Sequence, residues 1–102
     1  MEINKVGIAG TMESSDITVT IQPTDNPGIE VILQSSVKKQ FGKQIVKVIE
    51  DTIKSYGVEN ALVNAVDKGA IDYVIKARTE AALYRATGSS NYNWGEWYIW
   101  LD

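Results

Sequence analysis

The sequence predicts an α+β fold: a single small domain with a mainly antiparallel sheet and two helices packed on one face, in the order β-β-β-α-β-α. Three observations carry that prediction. The first third alternates apolar and polar residues with period two, and the hydrophobic spacing lengthens to three and four after Ser35-Ser36. A chain of 102 residues is also the size of one ordinary domain.

The first strand runs from Val6 through Ile8 to about Thr11, loosened by Gly7 and Gly10. In residues 16–22, Ile17, Val19 and Ile21 share one face, and Thr18, Thr20 and Gln22 share the other. The turn formers Pro23-Thr24-Asp25-Asn26-Pro27-Gly28 follow, and Ile29, Val31 and Leu33 resume the period, so a hairpin is expected. Phe41, Ile45, Val48, Ile49, Thr52 and Tyr56 mark the apolar stripe of a helix. Ser35 or Ser36 is available to cap it, and Gly57 is placed to end it in a left-handed conformation. Residues 61–66 read as a short buried strand, closed by the turn Asp67-Lys68-Gly69.

Residues 72–86 admit two periods. Ile71, Tyr73, Ile75 and Ala77 alternate as a strand would, whereas Ile71, Val74, Ile75, Ala81, Ala82 and Ala86 mark a helical face. The strong helix formers Glu80-Ala81-Ala82-Leu83 favour the helix. Gly88-Ser89-Ser90-Asn91 then breaks structure, which divides the chain into a domain at 1–88 and an aromatic tail at 89–102. The tail holds Tyr92, Trp94, Trp97, Tyr98, Ile99, Trp100 and Leu101, including all three tryptophans of the chain.

Composition removes most chemistry. With no cysteine there is no disulfide, thiolate nucleophile or zinc–cysteine site. With no histidine the usual neutral-pH general base and metal ligand is missing too. A formal charge of −3 argues against nucleic acid as a partner. No apolar run approaches the ~20 residues of a membrane span. The opening Met1-Glu2-Ile3-Asn4-Lys5 lacks the pattern of a secretion signal, so a cytoplasmic location is expected.

Between the first two strands lies Glu13-Ser14-Ser15-Asp16. It reads either as a plain turn or as an attachment point, because an exposed serine hydroxyl becomes a phosphodiester when a partner enzyme supplies the base and an activated phosphate. The surrounding block, Ala9-Gly10-Thr11-Met12-Glu13-Ser14-Ser15-Asp16, resembles the start of the citrate lyase acyl carrier proteins, the gamma subunits of that complex. The resemblance continues at Ser35-Ser36-Val37-Lys38-Lys39-Gln40-Phe41-Gly42, Gly57-Val58-Glu59-Asn60-Ala61 and Asp67-Lys68-Gly69-Ala70-Ile71-Asp72. Ala77-Arg78 and Glu80-Ala81-Ala82 close it, and together the blocks span about residues 2–88.

The resemblance implies a non-catalytic carrier subunit with no metal site of its own. By position, Ser14 would carry 2'-(5''-phosphoribosyl)-3'-dephospho-CoA through a phosphodiester, attached by a dedicated transferase. The pantetheine thiol of that group would hold acetyl or citryl as a thioester, which suits a chain that has no thiol. The implied partners are the alpha subunit, an acyl transferase, and the beta subunit, a citryl lyase. Their net reaction splits citrate into acetate and oxaloacetate. A carrier of malonate decarboxylase is the related alternative, and a non-catalytic protein-binding domain is the alternative from another class.

Some positions depart from the family pattern. Ser15 stands where glycine is common and would be strained if the turn needs positive φ. Met12 stands for leucine, Lys38 for a frequent glutamate and Tyr73 for a frequent cysteine, and the aromatic tail lies outside the resemblance. Lys39, Lys43 and Lys47 form either a solvated helix face or a docking edge. Glu13 and Asp16 either stabilise the turn or steer a basic transferase. Arg78 and Glu80 read as structural, pairing with strand carboxylates or covering apolar surface. The tail either folds back on the core or docks to a partner.

Overall fold

In the computed structural model, which describes residues 2–88, six elements follow in the predicted order. They are β1 (Gly7–Ala9), β2 (Ile17–Gln22), β3 (Ile29–Ser35), α1 (Lys38–Ser55), β4 (Ala61–Asp67) and α2 (Asp72–Thr87). The tail at 89–102 lies outside the described residues. Among the described residues no helix is long and apolar enough to cross a membrane.

The strands form one sheet in the order β1-β2-β4-β3. The expected hairpin of β2 with β3 does not form, because β4 lies between them. It runs antiparallel to β2, with Ile17 opposite Asp67 and Ile21 opposite Val63. It runs parallel to β3, with Ile29 opposite Ala61 and Ser35 opposite Asp67. Alternation tells which face of a sheet a residue takes and says nothing about which strand is its neighbour. The loop at 23–28 must carry the chain past one strand, about 10 Å, and α1 supplies the long crossover that a parallel pair requires. At the rim, the Gly28 amide donates to Asn60 Oδ1 at 2.7 Å, and the Ala61 amide donates to the Gly28 carbonyl at 3.1 Å.

Both helices cover the face carrying Ile17, Val19, Ile21, Val63 and Ala65, all of them buried. α1 contributes Ile45, Ile49 and Ile53, and α2 contributes Ile75, Ala82, Leu83 and Ala86. Residues 72–87 are thus helical, and the brief alternation at 71–77 is accidental. Two residues of the predicted stripes are not in the core: Phe41 is 53% exposed and Ile71 is 69% exposed. Ile71 holds the extended N-cap position of α2, one residue ahead of the helical period. The serine cap of α1 is also corrected. Val37 occupies the N-cap without a side-chain bond, and the Ser35 hydroxyl accepts from the Val37 amide at 3.2 Å while donating to Asp67 Oδ2 at 2.9 Å.

α2 lies directly on β1, and this contact depends on small residues. A Cβ on Gly7 would stand 2.1 Å from the Ala82 carbonyl oxygen and 2.5 Å from the Ala86 nitrogen. The chain start closes the far end of the helix. The Asn4 and Lys5 amides donate to the Ala86 carbonyl at 2.9 and 3.0 Å, and Asn4 Nδ2 donates to the Thr87 carbonyl at 2.7 Å. Since neither neighbour of Gly7 is a flexible side chain, Gly7→Ala is expected to push α2 off the sheet and cost about 3 kcal/mol. Urea denaturation of the two proteins measures it, and an unchanged midpoint contradicts the close packing.

Candidate functional site

The loop between β1 and β2 is short, polar and heavily bonded. Gly10 opens it with φ 105°, where a Cβ would fall 1.8 Å from the Ile17 carbonyl oxygen, so only glycine fits. Thr18 Oγ1 donates to the Thr11 carbonyl at 2.8 Å. The Asp16 amide donates to the Glu13 carbonyl at 3.2 Å, closing a four-residue turn with Ser14 and Ser15 at its centre. Ser15 has φ 66°, the single positive φ among the described non-glycine residues. Positive φ at the third position alone is the mark of a type II turn, which explains why glycine suits this place. A side chain here costs roughly 1–2 kcal/mol, so the surroundings must hold the turn in place.

They do so through Asp16. Its side chain is buried, and five donors reach its two oxygens. Oδ2 accepts from the Thr11 amide at 3.1 Å, Thr11 Oγ1 at 2.7 Å and Arg78 Nη2 at 2.8 Å. Oδ1 accepts from the Ile17 amide at 2.8 Å and Arg78 Nε at 2.9 Å. The forked Arg78 contact is the strong, bidentate form of an ion pair. The Arg78 guanidinium holds the Asp16 carboxyl far below the usual carboxylate range, helped by Thr11 and Ile17 and opposed by burial. Asp16 in turn raises Arg78.

The turn is latched to a second loop as well. The Ser15 amide donates to the Lys68 carbonyl at 2.8 Å, and the Lys68 amide donates to the Asp16 carbonyl at 2.9 Å. Lys68 sits in the β4–α2 turn, which the buried Asp67 stiffens by accepting from the Ala70 amide at 2.9 Å and from Ser35. None of these bonds uses the Ser14 hydroxyl, and Ser14 is exposed. The Ser15 hydroxyl is exposed and unused by these bonds too, so the arrangement offers two neighbouring primary hydroxyls to solvent on a turn fixed from three sides.

The sequence-predicted residues separate accordingly. Ser14 and Glu13 are exposed on the turn, and Asp16 is its internal fastening. Arg78 pairs with a carboxylate as expected, but with the one that fixes the loop, a role the sequence did not indicate across a gap of 62 residues. The backbone latch through Lys68 was also not foreseen, although Asp67-Lys68-Gly69 marked the turn. Glu80 lies apart from the site and accepts from the Tyr56 hydroxyl. Lys47 pairs with Asp51 at 2.9 Å on the outer surface of α1.

The clamp has a pH signature. A carboxyl ionising far below its unfolded value of about 3.9 contributes fully above that pH, and its contribution is lost as pH falls further. Asp16→Asn is expected to cost about 2–3 kcal/mol at neutral pH, because it leaves Arg78 without its charged partner. The stability gap between the two proteins should narrow below about pH 4, as read by denaturant titration at several pH values. A gap of constant size contradicts the ionised clamp.

Residues 4–86 match the profile of the ACP family described as malonate decarboxylase delta subunit (MdcD). The chain is 55% identical over 100 residues to the citrate lyase acyl carrier protein of Streptococcus mutans serotype c, covering 98% of each. It is 50% identical over 101 residues to that of Latilactobacillus sakei subsp. sakei, covering 99% of each. The match to that of Lacticaseibacillus casei is 51% over 102 residues and all of both chains, so the aromatic tail, expected to lie outside the resemblance, has a counterpart there. A crystal structure of a Pseudomonas malonate decarboxylase hetero-tetramer in complex with malonate contains a chain of the same fold. Its TM-score is 0.63 at 21% identity, covering 82% of this chain and 90% of that one. The chain thus belongs to the citrate lyase acyl carrier protein family, whose profile also describes the malonate decarboxylase delta subunit.

Proposed function

We propose that this chain is the carrier subunit for citrate cleavage and that Ser14 bears its phosphoribosyl-dephospho-CoA group. The observation that carries the reading is the exposed Ser14 hydroxyl on a turn fastened through Asp16 and Lys68, and its place in the Gly10-Thr11-Met12-Glu13-Ser14 block selects it over the equally exposed Ser15. A bulky anionic group fits there, since the side chain points to open surface and no bond of the loop must break. When bound, the group supplies a thiol that takes acetyl or citryl as a thioester, which this chain cannot supply for itself.

The chain's own part is to present an oxygen. Ser14 Oγ attacks the inner phosphorus of an activated polyphosphate donor held by the transferase, and the phosphoanhydride bond breaks to release the outer phosphates. The serine proton leaves to a base on that enzyme, since the adjacent Asp16 carboxylate is filled by five donors. Glu13, exposed beside it, adds an acidic cue for a basic transferase surface. The alpha subunit would exchange acetyl for citryl on the carrier, and the beta subunit would cleave the citryl group to leave acetyl. In this reading residues 1–88 carry the group, residues 89–102 dock to the large subunits, and the complex works in the cytoplasm.

Intact mass spectrometry of the chain, made with its transferase and the precursor-forming enzyme, tests the assignment. One added group on the wild type and none on Ser14→Ala is the expected result. An unmodified wild type beside active enzymes contradicts it and favours a protein-binding domain. The family profile's own description favours malonate decarboxylase as the second reading. Loaded carrier that restores malonate but not citrate turnover to a carrier-depleted complex would decide for it.

A further inference from the structure

Two residues that the hydrophobic period assigns to the core, Phe41 and Ile71, stand exposed in one cleft. The cleft holds about 490 Å³ between the first turns of α1 and α2, and its apolar walls are Val37, Phe41, Ile45, Ala70, Ile71 and Ile75. Exposed apolar side chains gathered at one place mark a binding surface more than solitary ones do. Gln44 Nε2 donates to Asp72 Oδ2 at 2.7 Å on the rim, leaving an amide oxygen available to a polar ligand.

What the cleft takes is indicated by its wall. Asp67, Gly69 and Ala70 belong to it, and between them Lys68 exchanges two backbone bonds with Ser15 and Asp16. One short loop is therefore both the wall of the cleft and the latch of the turn presenting Ser14. We infer that the cleft is the resting site of the arm attached to Ser14, with Phe41 and Ile71 covering its pantetheine segment between transfers. The inference rests on the Ser14 reading. A pantetheine arm combines methyl and methylene groups with two amides, which matches apolar walls with a polar rim. Sheltering the arm would shield a thioester from water without occupying the attachment turn.

The test uses the full-length chain with 13C-labelled isoleucine methyls, before and after loading, with the load confirmed by mass. The methyls of Ile45, Ile71 and Ile75 are expected to shift on loading, while those of Ile8 and Ile32, on the opposite face of the sheet, stay in place. The loaded thiol should also react with a small alkylating reagent roughly fourfold more slowly than in Phe41→Gln/Ile71→Gln, the protection one buried methylene provides. Both substituted residues are largely exposed, so the fold tolerates the change. A loaded chain whose cleft methyls do not move overturns the cleft assignment and leaves Ser14 standing. Movement only after partner subunits are added makes the cleft a protein-docking face and also overturns it. No added mass overturns the Ser14 reading, and the cleft assignment with it.

Discussion

A carboxylate buried at the start of β2 must find partners for both oxygens, and Asp16 finds five. Each partner ties a different piece of the molecule to one point. Thr11 belongs to the loop, Ile17 begins the strand, and Arg78 reaches across from α2. With these bonds in place, a turn carrying a serine at φ 66° is held in a shape that its own residues would not prefer. Losing the guanidinium leaves a buried charge, and the loop and the helix then loosen together.

The rest of the fold serves to place Arg78. The helix can reach Asp16 only because it lies flat on β1, and it lies flat only because Gly7 faces Ala82 and Ala86 with no side chain between. β4 then acts from the other side. As an inner strand it pairs with both β2 and β3, and its exit turn through Lys68 continues the ladder up to Ser15. Asp67 fixes that turn with the Ala70 amide and the Ser35 hydroxyl at the start of α1. Rigid elements thus surround a loop that leaves the Ser14 and Ser15 hydroxyls unused, an arrangement that suits the proposed attachment at Ser14.

Much of this was legible in the sequence, for reasons that differ by element. The strict alternation of Ile17, Val19 and Ile21 and the stripe through Ile45, Ile49 and Thr52 report faces directly, and those faces are buried. Strand order was hidden, because period two in β2 and β3 is the same whether they touch or have β4 between them. Phe41 and Ile71 fit a helical period yet line a cleft, since periodicity carries no information about where a helix meets its neighbour's end. Ser14 stands out only by its position in a block of matching residues, while Arg78 lies 62 positions from the Asp16 it clamps and leaves no local trace. The strained φ of Ser15 was readable as a departure from glycine at a turn.

Under the proposed attachment at Ser14, its dependence on the clamp is open to direct measurement through the rate at which the transferase modifies an Arg78→Gln carrier, at a temperature where circular dichroism shows it fully folded. If the clamp sets the presentation of the hydroxyl, kcat/KM falls roughly tenfold or more, as a displaced reacting atom requires. Arg78→Lys should rescue little, because an ammonium cannot reproduce the forked contact to both Asp16 oxygens. Modification of the folded Arg78→Gln chain at the wild-type rate would contradict the account.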